Sequence, residues 1–138
     1  MARNYAEAEH ELEPLLDTSD DSLSISRKLV ICYTQTGKLD KALKLFNELI
    51  TVDIEFILEA DPVKDDCPCP ELVENVGKFD LENSVDYLVL TGILWLFCDH
   101  KKSITYFQKA VAQSPENKAV AYAFNTIKDY FEKHPELI

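Results

Sequence analysis

The sequence has little glycine, proline and positive charge. Only three glycines and six prolines occur among 138 residues, a composition that argues against disorder and low-complexity repeats. Acidic residues outnumber basic ones by 25 to 14, giving a net charge of −11. Nucleic acids and anionic membranes attract basic surfaces. The charge therefore predicts that neither is a partner.

Signals for membrane insertion, export and catalysis are missing as well. The longest apolar segment, 87–97, is shorter than the roughly 18–20 residues that a spanning helix needs. The first 25 residues carry seven acids and no continuous apolar core, so we expect no signal peptide and a cytoplasmic protein with reduced cysteines. No phosphate-binding glycine loop, nucleophile elbow or zinc-protease motif occurs. We therefore predict no enzymatic activity and no cofactor.

What the sequence does contain is a succession of segments with helical apolar spacing. The predicted helices cover 1–17, 23–36, 39–60, 87–97, 103–113 and 117–133. The helix at 87–97 is apolar on nearly every side, which is typical of a helix buried between neighbours. In the first helix Glu7, Glu9, Glu11 and Glu13 predict a solvated acidic face. With 46% apolar residues in 138, the chain is expected to form one all-α domain.

Two helix boundaries carry clear local signals. Gly37 follows the second helix and suits its C-terminus, where a left-handed backbone is common. Ser114, Pro115 and Glu116 form a typical helix start, with a cap, a proline and an acid in order. Asn83 or Ser84 is expected to cap the apolar helix.

Apolar positions recur at a fixed period. Three from the first helix return 34 residues later: Ala8 as Ala42, Leu12 as Phe46 and Leu15 as Leu49. Three from later helices return after 61 residues: Leu29 as Leu90, Tyr33 as Leu94 and Phe46 as Phe107. An acidic interruption at 61–78 accounts for the longer step. Repeats of about this length are typical of proteins that stack helical hairpins.

At these positions the sequence resembles a tetratricopeptide repeat protein. The better-matching repeat carries four of the family's apolar positions, Leu29, Tyr33, Ala42 and Phe46, around the turn at 36–40. The second repeat is looser, with Cys98 in place of the turn glycine and Ser103 in place of Ala42. The resemblance implies an all-α fold, a right-handed superhelical stack of antiparallel helix hairpins with an acidic loop insertion. It divides the chain into a half repeat at 1–20, a repeat at 22–56, an insertion at 61–82, a repeat at 84–115 and a capping helix at 117–133.

The resemblance also implies a function. Members of the family are binding scaffolds or adaptors, in which the first helices of successive repeats line a concave groove for a peptide or helix. Carried over to this chain, the groove comprises ten residues, which we call the predicted groove: Arg27, Ile31, Thr34, Gln35, Leu88, Trp95, Leu96, Tyr122, Thr126 and Tyr130. A largely apolar groove in an acidic domain suits a basic or amphipathic protein segment. Trp95 can equally be a core residue, and association into a homodimer is an alternative use of the apolar faces.

The acidic interruption is the least regular part of the chain. Residues 61–78 contain three prolines and a cluster of acids, which predict a loop with one or two helical turns at 70–76. Long irregular loops in compact domains are often functional. We expect this loop either to fold over the predicted groove as a lid or to project as a mobile arm.

The cysteines offer a different function. Cys67 and Cys69 are one residue apart, as are Cys98 and His100, and the four could form a zinc site or a thiol-redox centre. Their spacing differs from the usual two- to four-residue gap of zinc ligands, and the acids beside Cys67 disfavour a reactive thiolate. We therefore expect no metal, free thiols at Cys67 and Cys69, and a core position for Cys32.

Overall fold

A computed structural model of the protein describes residues 4–18, 20–59, 69–77 and 84–137. Within these ranges the chain is helical and contains no strand. Its seven α-helices are α1 (Tyr5–Leu12), α2 (Ser22–Gln35), α3 (Leu39–Leu58), α4 (Cys69–Gly77), α5 (Val85–Leu96), α6 (His100–Gln113) and α7 (Lys118–Lys133). Short 3-10 turns follow α1 and α7, at Glu13–Leu15 and Pro135–Leu137. The predicted all-α class is confirmed for this part of the chain.

Side-chain caps set several of the helix starts. Ser84 accepts a hydrogen bond from the Tyr87 amide at 3.1 Å and caps α5. Of the two capping residues predicted for this helix, Asn83 and Ser84, Ser84 is confirmed. Asp99 accepts from the amide of Lys101 at 3.1 Å, so α6 begins at His100 and the predicted start at 103 is wrong. Such a cap satisfies an amide that helix geometry leaves without a partner.

The start of α7 also differs from the expectation. Asn117 accepts from the Val120 amide at 3.2 Å and is the cap. Ser114 instead donates from its hydroxyl to Glu116 Oε1 at 2.9 Å. The Ser-Pro-Glu motif therefore lies in the turn before the helix, and Asn117 caps the first turn of α7.

The predicted glycine C-cap is confirmed at Gly37. Its φ of 72° lies in the left-handed region, which costs glycine little because it has no Cβ. The amide of Lys38 then donates to the Tyr33 carbonyl at 2.9 Å, and that of Thr36 to the Cys32 carbonyl at 3.0 Å. These bonds satisfy the last carbonyls of α2 and turn the chain sharply into α3.

Helix α5 lies at the centre of the core. Eight of its residues, including Leu90, Ile93 and Leu94, are buried, and the helix packs against α2, α3, α4 and α6. Beside it, Phe46 of α3 and Phe107 of α6 stack with ring centroids 5.8 Å apart and are both fully buried. The prediction that this apolar segment is a buried helix is confirmed.

Helix α7 packs against both α6 and α3. Asn47 Nδ2 of α3 donates to the Ala119 carbonyl at 3.1 Å, and the Tyr130 hydroxyl donates to Glu55 Oε1 at 3.0 Å. In an open solenoid each repeat contacts only its neighbours. Here the last helix returns to a hairpin formed much earlier in the chain, so the helices close on one another more than the resemblance implies.

The acidic face predicted for α1 is wrong at Glu9. This carboxylate is buried and accepts hydrogen bonds from the Thr36 hydroxyl at 2.9 Å and from the Lys38 ammonium. Burial raises the pKa of Glu9, but the bonds from Lys38 and Thr36 outweigh it and hold the pKa below its ordinary value. Glu9 is therefore an ionised anchor that joins α1 to the α2–α3 turn.

We expect Glu9→Gln to lower the free energy of unfolding by about 1–2 kcal/mol, since a charge-assisted pair with a half-exposed lysine is lost. Urea denaturation at neutral pH measures the change. Glu11→Gln, on the exposed side of the same helix, is the control and should change stability little. Equal effects of the two substitutions would show that Glu9 anchors nothing.

Candidate functional site

The structure places much of the predicted groove out of reach of solvent. Five of its ten residues are buried: Ile31, Thr34, Gln35, Leu88 and Leu96. Arg27 is engaged by α3, where its guanidinium donates to the Phe56 carbonyl at 2.8 Å and lies 4.1 Å from the centre of the Phe56 ring. A ligand could not reach these residues without a rearrangement.

Helix α4 is one cause of this burial. The Gln35 side-chain amide donates to the Leu72 carbonyl at 3.2 Å, and Asn75 donates to Gln35 Oε1 at 3.2 Å. Leu72 and Val76 are fully buried, and α4 packs on α5 and α2. In residues 69–77 the insertion thus covers Gln35, one residue of the predicted groove. Residues 61–68 and 78 of the predicted loop lie outside the described residues.

The aromatic members of the predicted groove have separate surroundings. Trp95 is half-buried, and the Lys102 ammonium lies 4.3 Å from its ring centroid, a cation–π contact. Its Nε1 is buried and has no hydrogen-bond partner among the described residues. Tyr130 and Thr126 are half-buried on α7, where burial and the neighbouring Glu55 raise the pKa of Tyr130. Trp95 is therefore neither an open groove residue nor a fully enclosed core residue.

Tyr122 opens onto a cleft. The cleft lies between α3 and the start of α7, has a volume of about 580 Å³, and is called the α3–α7 cleft below. Its apolar lining consists of Leu39, Leu43, Val52, Ala119 and Tyr122. Val52 is 70% exposed and Tyr122 44%, and with Leu15 they are the exposed large apolar side chains in the part of the chain that the structure describes.

Local features of α3 and α7 build this cleft. Thr51 donates from its hydroxyl to the Asn47 carbonyl at 2.7 Å and also contacts the Tyr122 hydroxyl. Bonding of a threonine to the carbonyl four residues earlier bends helices, and α3 is kinked at Asp53, where φ is −161° and ψ is 83°. The helix thus continues to Leu58, close to the predicted 60, but with a kink beside Val52. The β-branched run Ile50-Thr51-Val52 is the sequence signal that we did not use.

Charged groups surround the apolar lining. Asp40 and Glu48 line the α3–α7 cleft with Lys44 between them, all three exposed on α3. A neighbouring surface depression near the α2–α3 turn is lined by Lys38 and Lys41 as well as Asp40 and Asp86. The cleft therefore offers an apolar floor with a rim of two acids and one lysine.

The cysteine expectation is wrong at Cys98. This residue, at the turn between α5 and α6, is disulfide-bonded, so its sulfur is not a reduced thiol that could serve a zinc ion. Cys67 and the side chain of Cys69 lie outside the described residues. Within the ranges that the structure does describe, no cluster of three or more His, Cys, Asp and Glu is arranged to hold a metal. Cys32 is a buried free thiol whose pKa is raised by burial to about 11, which confirms its core position.

His100, the other proposed zinc ligand, is a packing residue. Its ring stacks on Phe131 with centroids 4.0 Å apart and planes 10° apart, beside a small cavity of about 190 Å³. Nε2 is buried without a hydrogen-bond partner in the described part of the chain. Burial lowers the pKa of His100, Lys101 lowers it further, and Asp99 opposes both. The neutral form of the His100 side chain is thus the one that stacks on Phe131 and joins α6 to α7.

This arrangement predicts a loss of stability in mild acid. The pKa of His100 is lower in the folded protein than in the unfolded chain, where it is near 6.5. Its contribution to stability is therefore complete above the unfolded value and is lost as the pH falls below it and through the lower folded-state pKa. Unfolding free energies measured at pH 8 and pH 5 should differ less in His100→Gln than in the wild type. His10→Gln, on exposed α1, should leave the difference unchanged. If the unfolding free energy of His100→Gln changed with pH as much as that of the wild type, His100 would not be the source of the acid sensitivity.

Comparison with known proteins adds one positive finding. A family model described as tetratricopeptide repeat matches residues 1–53, which include α1, α2 and most of α3. The match supports the resemblance to tetratricopeptide repeats predicted from the sequence, over this part of the chain. No curated protein and no solved structure matches it. Within the described residues, no helix is both long enough and apolar enough to span a membrane.

Tetratricopeptide repeats generally mediate protein–protein interactions, commonly through extended concave surfaces. The family match thus suggests a protein-interaction module and does not define the surface. In the part of the chain that the structure describes, the α3–α7 cleft is a concave region that combines exposed apolar side chains with charged neighbours.

Proposed function

We propose that this chain is a non-catalytic interaction module that binds a basic, amphipathic segment of a partner protein in the α3–α7 cleft. The observation that carries the proposal is the placement of Val52 and Tyr122, two exposed large apolar residues, in one open cleft. Isolated exposed apolar residues need no explanation, but residues that share a concave site are typical of binding surfaces.

Tyr122 has the properties of an anchor residue. Its ring lies open to the cleft while its hydroxyl contacts Thr51, so the ring is held in place before any ligand arrives. A side chain that is already ordered loses little conformational entropy on binding. Tyrosine is also among the residues that contribute most to interface energies. The ring and Val52 would therefore cover the apolar face of the incoming segment.

The charges of the protein favour a basic partner. Asp40 and Glu48 stand at the rim of the cleft on either side of Lys44, and the whole chain carries a net charge of −11. Complementary charge accelerates encounter and excludes like-charged competitors. Lysine or arginine residues flanking an apolar stretch suit this surface, whereas a second copy of this acidic chain would be repelled. A homodimer through the cleft is thus the less favoured use.

This proposal keeps the predicted function but places the binding site in a different part of the surface. Of the predicted groove residues, Tyr122 alone also lines the α3–α7 cleft. We retain the right-handed superhelical sense of the hairpins as part of the proposal, because the family implies it and the short α2–α3 and α5–α6 turns permit it. A non-catalytic role follows from the same family and remains a proposal, and the cytoplasmic location remains a prediction from the lack of an export signal.

The test is a selection of peptides from a random display library against the folded protein. We expect the recovered peptides to be basic and amphipathic, and expect Tyr122→Ala and Val52→Lys each to weaken their binding by about tenfold or more, as is usual for interface anchors. Leu15→Ser is the matched control, because Leu15 is as exposed as Tyr122 but lies outside the cleft. Circular dichroism checks that each variant keeps its helices. Peptides that bind both cleft variants as tightly as the wild type would refute the site.

A further inference from the structure

One exposed row of helix α3 runs along the α3–α7 cleft. Four residues of this row, which we call the α3 row, line the cleft at four-residue intervals: Asp40, Lys44, Glu48 and Val52. Residues at this spacing lie on one face of a helix, and each is about 6 Å further along the axis than the last. The kink of α3 follows at Asp53, so the whole row lies on the regular part of the helix. The cleft is thus bordered in order by an acid, a base, an acid and an apolar side chain.

The charged residues that line the cleft all belong to the α3 row. The lining residues near the start of α7 are uncharged, namely Asn117, Ala119 and Tyr122. The other lining residues of α3 are uncharged as well: Leu39, Leu43, Asn47 and Thr51. A ligand in the cleft therefore meets three charges along one side and in one order.

The charges of the α3 row are available to a ligand. The neighbouring Lys41 pairs with Glu13 at 3.8 Å. Lys44, in contrast, forms no ion pair with Asp40, Glu48 or any other residue in the described part of the chain. Complementary charges across an interface contribute mainly to the choice of partner. The row can therefore discriminate between ligands without first breaking an ion pair within the protein.

We propose that the partner segment is a helix that carries an apolar residue, a base, an acid and a base at successive four-residue steps, counted from the end that lies at Val52. Its two bases lie opposite Glu48 and Asp40, and its acid lies opposite Lys44. Its apolar residue lies beside Val52 and Tyr122. The inference rests on the proposed function, because it places this helix in the α3–α7 cleft.

A helical segment suits the α3 row for two reasons. Its side chains recur every fourth residue with the same rise of about 6 Å as those of α3, so four of them can meet the row together. Alternating charges at this spacing also stabilise an isolated helix, which lowers the entropy cost of ordering the segment on binding. The central acid is the selective element, because a uniformly basic segment would place a like charge against Lys44.

A display library of helical peptides tests this pattern. Each peptide has a fixed apolar face, and three positions four residues apart vary independently among lysine, glutamine and glutamate. On the wild-type protein, peptides with glutamate between two lysines should bind about fivefold more tightly than those with three lysines, since one attractive surface pair is replaced by a repulsive one.

Substitutions of Lys44 test its role directly. Lys44→Glu should reverse the preference at the central position, and Lys44→Gln, which adds no repulsion within α3, should abolish it. Lys109→Glu is the matched control, because Lys109 is exposed on α6 and outside the cleft. It changes the net charge as Lys44→Glu does and should leave the preference intact. Circular dichroism checks that the variants keep their helices.

Tyr122→Ala separates this inference from the proposed function. Peptides that lose binding in this variant lie in the cleft. If their central position is indifferent to charge, or keeps its preference in both Lys44 variants, the inference fails while the proposed function stands. Peptides that bind Tyr122→Ala as tightly as the wild type would refute the cleft itself.

A parallel library places the three varied positions two residues apart, the spacing at which an extended chain has a similar step. Charge selection in the parallel library alone would overturn the helical form of the partner.

Discussion

Replacing Phe107 with alanine should lower the free energy of unfolding by about 3–5 kcal/mol, the range for large aromatic residues in cores. The Phe107 ring is fully buried, stacks on Phe46 of α3 and packs directly over Gly92 of α5. It thus joins three helices at one point. The cavity left by its removal cannot collapse without moving α5, which is itself packed on several sides.

Chemical denaturation followed by circular dichroism measures this loss. Phe124→Ala is the matched control, since Phe124 is a half-buried phenylalanine on α7 and should cost clearly less. Stabilities of small domains are about 5–15 kcal/mol, so Phe107→Ala should leave a detectable unfolded population on mild heating. Similar losses from the two substitutions would show that Phe107 does not hold the centre of the core.

Replacing Gly92 with valine should cost about 2–3 kcal/mol, in the range for overpacked cores. A Cβ at this position would lie 2.9 Å from Phe107 Cδ2 and 3.0 Å from Cε2, well inside van der Waals contact. The two helices cannot easily move apart, because the Ser103 hydroxyl of α6 donates a hydrogen bond to the Gly92 carbonyl of α5 at 2.6 Å. Valine has a higher helix propensity than glycine, but the free energy gained from this is smaller than the cost of the clash.

A double-mutant cycle tests the cause. Gly92→Val should cost less when Phe107 is already leucine, because the smaller side chain leaves room for the new methyl groups. Gly77→Ala in α4 is the control, since its added Cβ would meet only Tyr87 Cε2, at an ordinary 4.0 Å. A cost of Gly92→Val that is independent of residue 107 would assign the loss to the backbone of α5.

Much of the fold could be predicted because its signals are local. The apolar period of α2 and α3, the left-handed glycine between them and the all-round apolarity of α5 each require a few neighbouring residues to be recognised. The close contact of Gly92 with Phe107 was not predicted, although a glycine inside an apolar helix often has a packing reason. Its partner Phe107 was visible as a recurrence of Phe46, but which helices these rings join was not.

The site was harder to predict because it depends on which helices meet. An amphipathic pattern shows which face of a helix is buried, but not what covers it. Asn47 and Ala119 are far apart in sequence, and their hydrogen bond brings α7 back onto α3, which creates the cleft around Tyr122. Likewise, nothing near Gln35 in sequence indicates that Leu72 and Asn75 cover it. The family resemblance implied a groove lined by first helices, whereas the site that we propose lies where the returning helix meets α3.

Mapping a selected peptide onto the protein by amide chemical shifts tests the central claim most directly. The account predicts that a basic, amphipathic peptide shifts resonances along α3 at 43–52 and at the start of α7 at 119–122, and that these shifts vanish in Tyr122→Ala. Shifts confined to the other predicted groove positions, at 27–35 and 88–96, with the cleft unaffected, would contradict it. Partner binding would then lie in the groove implied by the family and not in the cleft between α3 and α7.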